Sequence, residues 1–128
     1  MAQVTTSDYN PFQHAEELGL QVEYQTLRTA FGLYVPGRDL ILLRPRMKLA
    51  TERCILAHEI DHYLHRDRRV NGIYSLRQER RADEGAALRL IPDDRWNDVR
   101  RWTHNLVDAA IELQVTLDIA LARTRVAA

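Results

Sequence analysis

The sequence predicts an α+β fold with a short N-terminal sheet and hairpin, a central helix and a helical C-terminal half. Two observations predict it. β-prone apolar runs lie between Gly19 and Pro45, whereas the residues from Leu49 onward have helical spacing with few breaks. With 128 residues, the chain is large enough to bury a core without disulfides. We therefore expect a single domain over residues 1–128.

The N-terminal third is predicted to contain one short helix and three strands. Apolar residues from Pro11 to Leu18 recur at helical spacing, and Gly19 can end that helix. We expect strands at LQVEYQTL, which alternates, and at FGLYV and LILL, which are apolar and β-prone. The intervening PGRD, residues 36–39, favours a turn, so the last two strands should form a hairpin. The polar residues 1–10 are expected to be disordered.

A central helix is predicted from Leu49 to about Arg66, a stretch that contains neither glycine nor proline and carries a regular set of apolar residues. Residues 67–75 contain an Asn-Gly pair and should form a loop. A second helix should then run from about Leu76 to Leu90. Pro92 marks its end and the start of another helix.

The C-terminal residues 93–128 are helical in composition and are expected to pack on the rest of the domain. A break is predicted near Val115, where Thr116 could cap the last helix. No repeat, linker or low-complexity segment divides the chain. The order of elements is therefore one helix, a β-rich segment and then helices alone.

The composition argues against several classes of protein. The 18 basic and 18 acidic side chains cancel, so the overall charge predicts neither a nucleic-acid nor a membrane partner. The single cysteine, Cys54, excludes an internal disulfide framework and fits a reducing compartment. No segment has the apolar length of a membrane span, and the start MAQVTTSDYN lacks the order of a secretory signal. We expect a cytoplasmic protein.

The stretch AHEIDHYLH, residues 57–65, holds three of the chain's five histidines. On a helix, His58 and His62 lie one turn apart on one face, so both imidazoles can bind one cation. Glu59 lies about 100° around the helix from His58, where it can take a proton from water that the metal activates. This is how the HExxH pattern works, and it predicts a metal site.

A catalytic zinc site usually has three protein ligands, so we expect a third ligand downstream. Glu79 qualifies, because it lies at the start of a helix that can pack antiparallel to the first. Asp83, one turn later on the same face, could accept the free ring N–H of a ligating histidine and fix its orientation. Glu84 is out of phase with Glu79 and is a weaker candidate.

The run LAHEIDHYLH, followed by ERRADEGAALRLIP, closely resembles the paired signature of the ImmA/IrrE family of metallo-endopeptidases. GLYVPGRDLILLRP and, more loosely, ELQVTLDIALARTR extend the resemblance, which covers residues 20–125. It implies a zincin-like fold with His58, His62 and Glu79 as ligands of Zn²⁺ and Glu59 as the catalytic carboxylate. It also implies a protein substrate, a helix-turn-helix transcriptional repressor of a phage or mobile element.

Two positions depart from the family pattern. Asp61 stands before the second histidine, where such motifs often have glycine, and it adds a negative charge near the predicted metal face. We expect it either to pair with a nearby arginine or to alter metal affinity. Gly85 stands where family members commonly have a large apolar residue, which concerns local packing more than chemistry.

Three further side chains near the motif have alternative interpretations. His65 shares the histidine face but lies almost one turn further on, so we expect a substrate contact or a helix-end histidine rather than a ligand. Cys54 is expected to be a small buried hydrophobe. Tyr74 could donate a hydrogen bond to the oxyanion that forms when a carbonyl is attacked, or it could cover the edge of the core. The sequence does not decide between these roles.

These patterns predict a zinc-dependent endopeptidase whose substrate lies extended along an exposed sheet edge. One rival is a zinc-stabilised protein that inactivates a repressor without cleaving it. Such a protein would keep every ligand and dispense only with Glu59. A second rival, direct DNA binding through the C-terminal half, is disfavoured by the neutral net charge.

Overall fold

The structure, a computed structural model, describes residues 8–68 and 72–126. Within these residues the chain forms a three-stranded sheet and six helices, so the α+β prediction is confirmed. In chain order the elements are α1 (Pro11–Glu17), β1 (Gln21–Tyr24), β2 (Gly32–Val35), β3 (Leu40–Leu43), α2 (Leu49–Leu64), α3 (Ile73–Leu90), α4 (Asp93–Trp102), α5 (Leu106–Leu113) and α6 (Leu117–Thr124).

Helix α1 has clear local signals at both ends. The side chain of Asn10 accepts hydrogen bonds from the backbone N–H groups two and three residues later, which caps the first turn. Gly19, at φ +76°, takes the left-handed conformation that ends the helix. Of the residues 1–10 that we expected to be disordered, residues 8–10 belong to the described structure, and the first seven lie outside it.

The three strands form one mixed sheet in the order β1-β3-β2. Strands β2 and β3 make the predicted antiparallel hairpin, and β1 pairs with β3 in parallel. The central strand β3 therefore carries the sheet's core residues, Ile41 and Leu43, which are fully buried in one cluster with Leu56 and Ile60 of α2. Strand β2 is left as an edge strand beside α2.

Helix α3 begins at Ile73, one turn earlier than expected, so the predicted loop over residues 67–75 is wrong at its C-terminal end. Gly72, at φ +74°, takes a conformation that other residues rarely adopt, and its carbonyl accepts the N–H groups of Ser75 and Leu76. Gly72 thus ends the loop just before the helix. Residues 69–71 of the predicted loop lie outside the described residues.

The C-terminal half contains one break more than the sequence predicted. Thr116 caps α6 as expected, because its hydroxyl accepts the N–H of Ile119. The additional break separates α4 from α5, where the Asn105 side chain accepts the N–H groups of the second and third residues of the new helix. Helix α6 packs against α3, and the buried Arg123 ties the two together through the carbonyl of Ile91.

Helix α2 lies between two apolar clusters. Leu56 and Ile60 belong to the cluster formed with the sheet, whereas Cys54 and Ala57 belong to the cluster formed with α3, α5 and α6. His58, Glu59 and His62 of α2 line cavities together with residues of β2 and α3. No helix among the described residues is long and apolar enough to cross a membrane.

Candidate metal centre

Three sequence-predicted residues converge on one point between α2 and α3. The Nε2 atoms of His58 and His62 lie 3.0 Å apart. Glu79 spans both, with Oε1 3.1 Å from the first Nε2 and Oε2 2.9 Å from the second. Around a tetrahedral zinc ion with bonds of about 2.0–2.1 Å, ligand atoms lie about 3.3 Å apart. The three spacings observed here are slightly shorter, and the two that involve Glu79 use different oxygens, so its carboxylate bridges the two Nε2 atoms.

The antiparallel packing of α3 on α2 brings these residues together. His58 contacts Asp83 and His62 contacts Glu79, so the partner number falls as the position along α2 rises. Glu79 and Asp83 share one face of α3 because they are four residues apart. The fully buried alanines of α3, among them Ala82, leave room for the two helices to approach closely.

Each histidine is oriented by a carboxylate on its other ring nitrogen. Asp83 Oδ1 lies 2.7 Å from Nδ1 of His58, as the sequence predicted. Asp67 Oδ2 lies 2.8 Å from Nδ1 of His62, a partner that sequence reasoning missed. When each Nδ1–H donates to its carboxylate, the Nε2 lone pairs point at the common site, which is the arrangement that metal-binding histidines adopt.

Asp67 carries only a weak signal in the sequence. It follows the end of α2 and sits five residues after His62, with no helical spacing to connect them. The connection depends on Arg66, whose φ of +52° turns the chain back. The backbone N–H of Asp67 then donates to the His62 carbonyl at 3.0 Å. A residue in the left-handed region is hard to foresee when it is not glycine.

Glu59 lies beside the two Nε2 atoms and against the edge strand β2. Its side chain is buried, and Oε1 accepts the backbone N–H of Tyr34 at 2.8 Å. Oε2 lies 3.9 Å from the His58 Nε2. Burial raises the pKa of Glu59, although both histidines and the Tyr34 N–H act to lower it. The carboxylate is thus fixed, close to the convergent atoms, and easier to protonate than an exposed glutamate.

The ionisation of the site favours positive charge at its centre. Burial acts to lower the pKa of His58, but hydrogen bonds with Asp83 and Glu79 outweigh it and raise the pKa to about 10. Burial acts the same way on His62, and bonds with Glu79 and Asp67 raise its pKa as well. The same two histidines hold the pKa of Glu79 well below its ordinary value. The carboxylates that raise these histidine pKa values, Asp67, Glu79 and Asp83, also favour a bound cation.

Comparison with models of protein families and with curated proteins finds no match to this chain. The assignment of the site therefore depends on its own geometry.

Buried His58, Glu59 and His62 form a group that could hold a metal ion, since their ligand atoms lie within 4.8 Å of one another. Glu79 is not part of that buried group, and its side chain is 56% exposed. We nevertheless favour Glu79 as third ligand, because its oxygens lie nearer both Nε2 atoms, whereas one oxygen of Glu59 is occupied by Tyr34. An exposed ligand is compatible with an open catalytic site.

The remaining candidates lie away from the convergent atoms. Cys54 is buried, and its sulfur accepts the N–H of Thr116, in agreement with a core role. His65 ends α2 and bonds through Nδ1 to the Asp61 carbonyl, 3.0 Å away. Glu84 pairs with arginines instead. The side chain of Tyr74 lies outside the described part of the structure, so its two alternative roles stay open.

Asp61 of α2 and Gly85 of α3 contact each other. Asp61 is buried and pairs with Arg81 and Arg89, so it does not point at the metal-site atoms. A Cβ at Gly85 would overlap the Asp61 carboxylate, hence only glycine leaves space for it. The expectation that Asp61 pairs with an arginine is confirmed, and the same contact explains the absence of a large residue at position 85.

Two cavities open on either side of the site. One, of about 350 Å³, lies beside His62 and is lined by Tyr34, Arg68 and Gln78 among others. The second, of about 380 Å³, lies beside His58 and reaches Ile119. Both are lined by Gly32, Glu59 and Glu79. The residues of the candidate metal centre therefore line both cavities.

Proposed function

We propose that this protein is a zinc-dependent endopeptidase of the HExxH type, zincin-like in its site, which hydrolyses peptide bonds of a specific protein in the cytoplasm. The observation that carries the proposal is the convergence of the His58 and His62 Nε2 atoms with the carboxylate of Glu79, beside the buried Glu59. Two cavities flank this point, as a substrate extending in both directions requires.

The donor atoms fit zinc. Two imidazole nitrogens and one carboxylate oxygen are the ligand set of many catalytic zinc sites, which keep a fourth position open. His58, His62 and Glu79 would hold the ion, and Asp83 and Asp67 would fix the histidine tautomers. When bound, zinc supplies a Lewis acid that polarises a carbonyl and makes water more acidic.

Glu59 is the residue that moves protons in this proposal. The Tyr34 N–H holds Oε1, which leaves Oε2 to face the site. Oε2 accepts a proton as water adds to the peptide carbonyl carbon, and it returns that proton to the nitrogen as the C–N bond breaks. The products are a carboxylic acid and an amine. A pKa raised by burial suits a group that must both accept and release a proton.

The substrate backbone is expected to lie along β2. This strand is at the edge of the sheet, and the Tyr34 N–H already points away from β3. Gly32 allows β2 to approach α2, because a Cβ there would overlap Ile55 and crowd Glu59. An exposed edge offers main-chain hydrogen bonds without side-chain preference. Specificity for one partner must therefore come from surfaces outside the strand.

The resemblance to the ImmA/IrrE family suggests the partner, a helix-turn-helix repressor of a phage or mobile element. The test requires that the cells contain this partner, but its identity need not be known. Wild-type protein and Glu59→Gln are expressed in matched bacterial cultures, and new protein N-termini are identified by mass spectrometry. We expect a small set of neo-N-termini with wild type and a loss of at least about 100-fold with the variant, the scale of general acid–base catalysis.

Two comparisons make this experiment decisive. Glutamine keeps the oxygen that accepts the Tyr34 N–H, so the variant should fold normally. Glu112→Gln, at an exposed position of α5, provides the same chemical change away from the site. Neo-N-termini that are identical in wild type and Glu59→Gln cells would rule out the peptidase.

One observation favours a second function. Glu59 also has a structural role, since it joins α2 to the edge strand through Tyr34. A zinc-stabilised protein that inactivates a repressor without cleaving it could retain Glu59 for this reason alone. Under that alternative, Glu59→Gln would bind the repressor and relieve repression as wild type does, and no neo-N-terminus would form.

A further inference from the structure

A buried carboxylate, that of Asp61, lies next to the candidate metal centre. Asp61 precedes His62 on α2, and its side chain is only 2% exposed. Arg89 Nη1 lies 2.9 Å from Oδ1, and Arg81 Nε lies 3.4 Å from Oδ2. A buried charge persists only when partners compensate its lost hydration, so these contacts fix where the carboxylate stands.

Gly85 fixes the position from the other side. The Asp61 carboxylate occupies the volume where a side chain at this position of α3 would begin. The backbone of α3 is therefore one wall of the Asp61 pocket, and two arginines of the same helix supply its charges. The interface between the helices thus contains this ion cluster beside the apolar contacts of Cys54 and Ala57 with α3.

Arg81 extends the cluster to the metal site. Its Nε contacts Asp61, while its Nη2 donates to Oδ2 of Asp67, the same oxygen that lies 2.8 Å from Nδ1 of His62. A guanidinium holds its donors in one rigid plane, so the place of one carboxylate determines the place of the other.

We infer that Asp67 and Arg81 are positioning residues that aim His62 at the metal, with buried Asp61 as their anchor. This inference rests on the metal site of the proposed function and deepens it. His58 needs no such chain, because Asp83 reaches it directly from α3. His62 lies in the last turn of α2, so without Arg81 its orientation would depend only on Asp67, which follows the helix.

Zinc affinity is the direct test. Removing a carboxylate that orients a ligating histidine typically lowers metal affinity 10–100-fold. Dissociation constants of zinc are measured by competition with a chelating dye for wild type, Asp67→Ala, Asp67→Asn and Arg81→Ala. We expect Asp67→Ala to weaken binding about 10–100-fold, and Asp67→Asn less, because asparagine retains an acceptor oxygen for the His62 N–H. Asp98→Ala, which removes an exposed carboxylate from α4, should match wild type.

A double-mutant cycle separates positioning from general destabilisation. If Arg81 acts on zinc through Asp67, Arg81→Ala should weaken binding alone but add little in the Asp67→Ala background. The absorption spectrum of bound Co²⁺ should change in Asp67→Ala, because a misdirected ligand alters the coordination geometry. Unfolding of the metal-free variants, followed by circular dichroism, shows whether they fold.

The outcomes distinguish this inference from the proposed function. Wild-type zinc affinity and an unchanged Co²⁺ spectrum in folded Asp67→Ala would overturn the positioning role and leave the metal site intact. Additive effects of Asp67→Ala and Arg81→Ala on zinc affinity would overturn the role of Arg81. A folded wild type that binds no zinc would instead remove the proposed function.

Discussion

The two histidines of the candidate metal centre have the same proposed role but are oriented by different parts of the chain. Both lie on α2, and both contact a carboxylate through Nδ1. The partner of His58 is Asp83, one turn from Glu79 on α3. The partner of His62 is Asp67, which follows α2 and is held by Arg81. One histidine is oriented by helix packing alone, and the other by a chain of ion pairs.

The difference affects how well each half of the site tolerates substitution. The side chain of Asp83 is 31% exposed, so water can replace part of its hydrogen bonding, whereas that of Asp67 is 11% exposed. Removal of Asp67 would also leave Arg81 without one of its two carboxylates. We therefore expect the His62 half of the site to be the more sensitive to substitution.

The largest effect is expected at Gly85, which packs against the Asp61 carboxylate. Gly85→Ala would force a Cβ into the Asp61 carboxylate, which combines overpacking with displacement of a buried charge. The expected loss is about 3 kcal/mol in free energy of unfolding, measured by urea denaturation of the metal-free protein. In an Asp61→Ala background the same substitution should cost less than about 1 kcal/mol. Equal costs in both backgrounds would show that the two positions are independent.

A smaller effect compares the two orienting carboxylates directly. Asp83→Ala should lower zinc affinity less than Asp67→Ala does, with both inside the range of about 10–100-fold. Competition titrations of the two variants under the same conditions decide the order. A larger loss in Asp83→Ala would reverse our account of which ligand depends more on its partner.

A further prediction concerns a pH dependence that begins at His58. Its pKa is raised to about 10, so zinc must displace a proton below that pH. Apparent zinc affinity should rise about 10-fold per pH unit from about pH 7 to 9, for each proton released. The slope is read from titrations across that range. Asp83→Ala should flatten it, because the variant loses a hydrogen bond that raises the pKa.

The metal-free protein should behave in the opposite sense. A raised pKa in the folded state contributes stability that is present below the unfolded value of about 6.5 and disappears as pH rises through about 10. Thermal unfolding in the presence of a chelator measures this contribution. Metal-free stability that increases between these pH values would contradict the charge state assigned to His58.

The sequence could predict the features that depend on spacing within one helix or strand. Spacing on helices was enough to propose His58, His62, Glu79 and Asp83, because periodicity within α2 and α3 determines which residues share a face. Alternation, β-prone apolar runs and the turn at residues 36–39 were enough to predict the three strands and the hairpin.

Features that depend on contacts between distant segments were not predictable. The parallel pairing of β1 with β3 has no local signal. Asp67 reaches His62 only because Arg66 adopts a positive φ and Arg81 fixes the carboxylate. Asp61 and Gly85 lie 24 positions apart in the sequence, and only the packing of α3 on α2 shows that Asp61 requires glycine at position 85.

The most direct test of the account is the metal content of the folded protein. Wild type and His65→Gln, dialysed against a slight excess of zinc and then against buffer, should each retain about one zinc ion per chain, the stoichiometry of a three-ligand site. His62→Ala and Glu79→Gln should retain almost none. A folded wild type without zinc, or a His62→Ala variant that keeps it, would contradict the assignment of the metal centre.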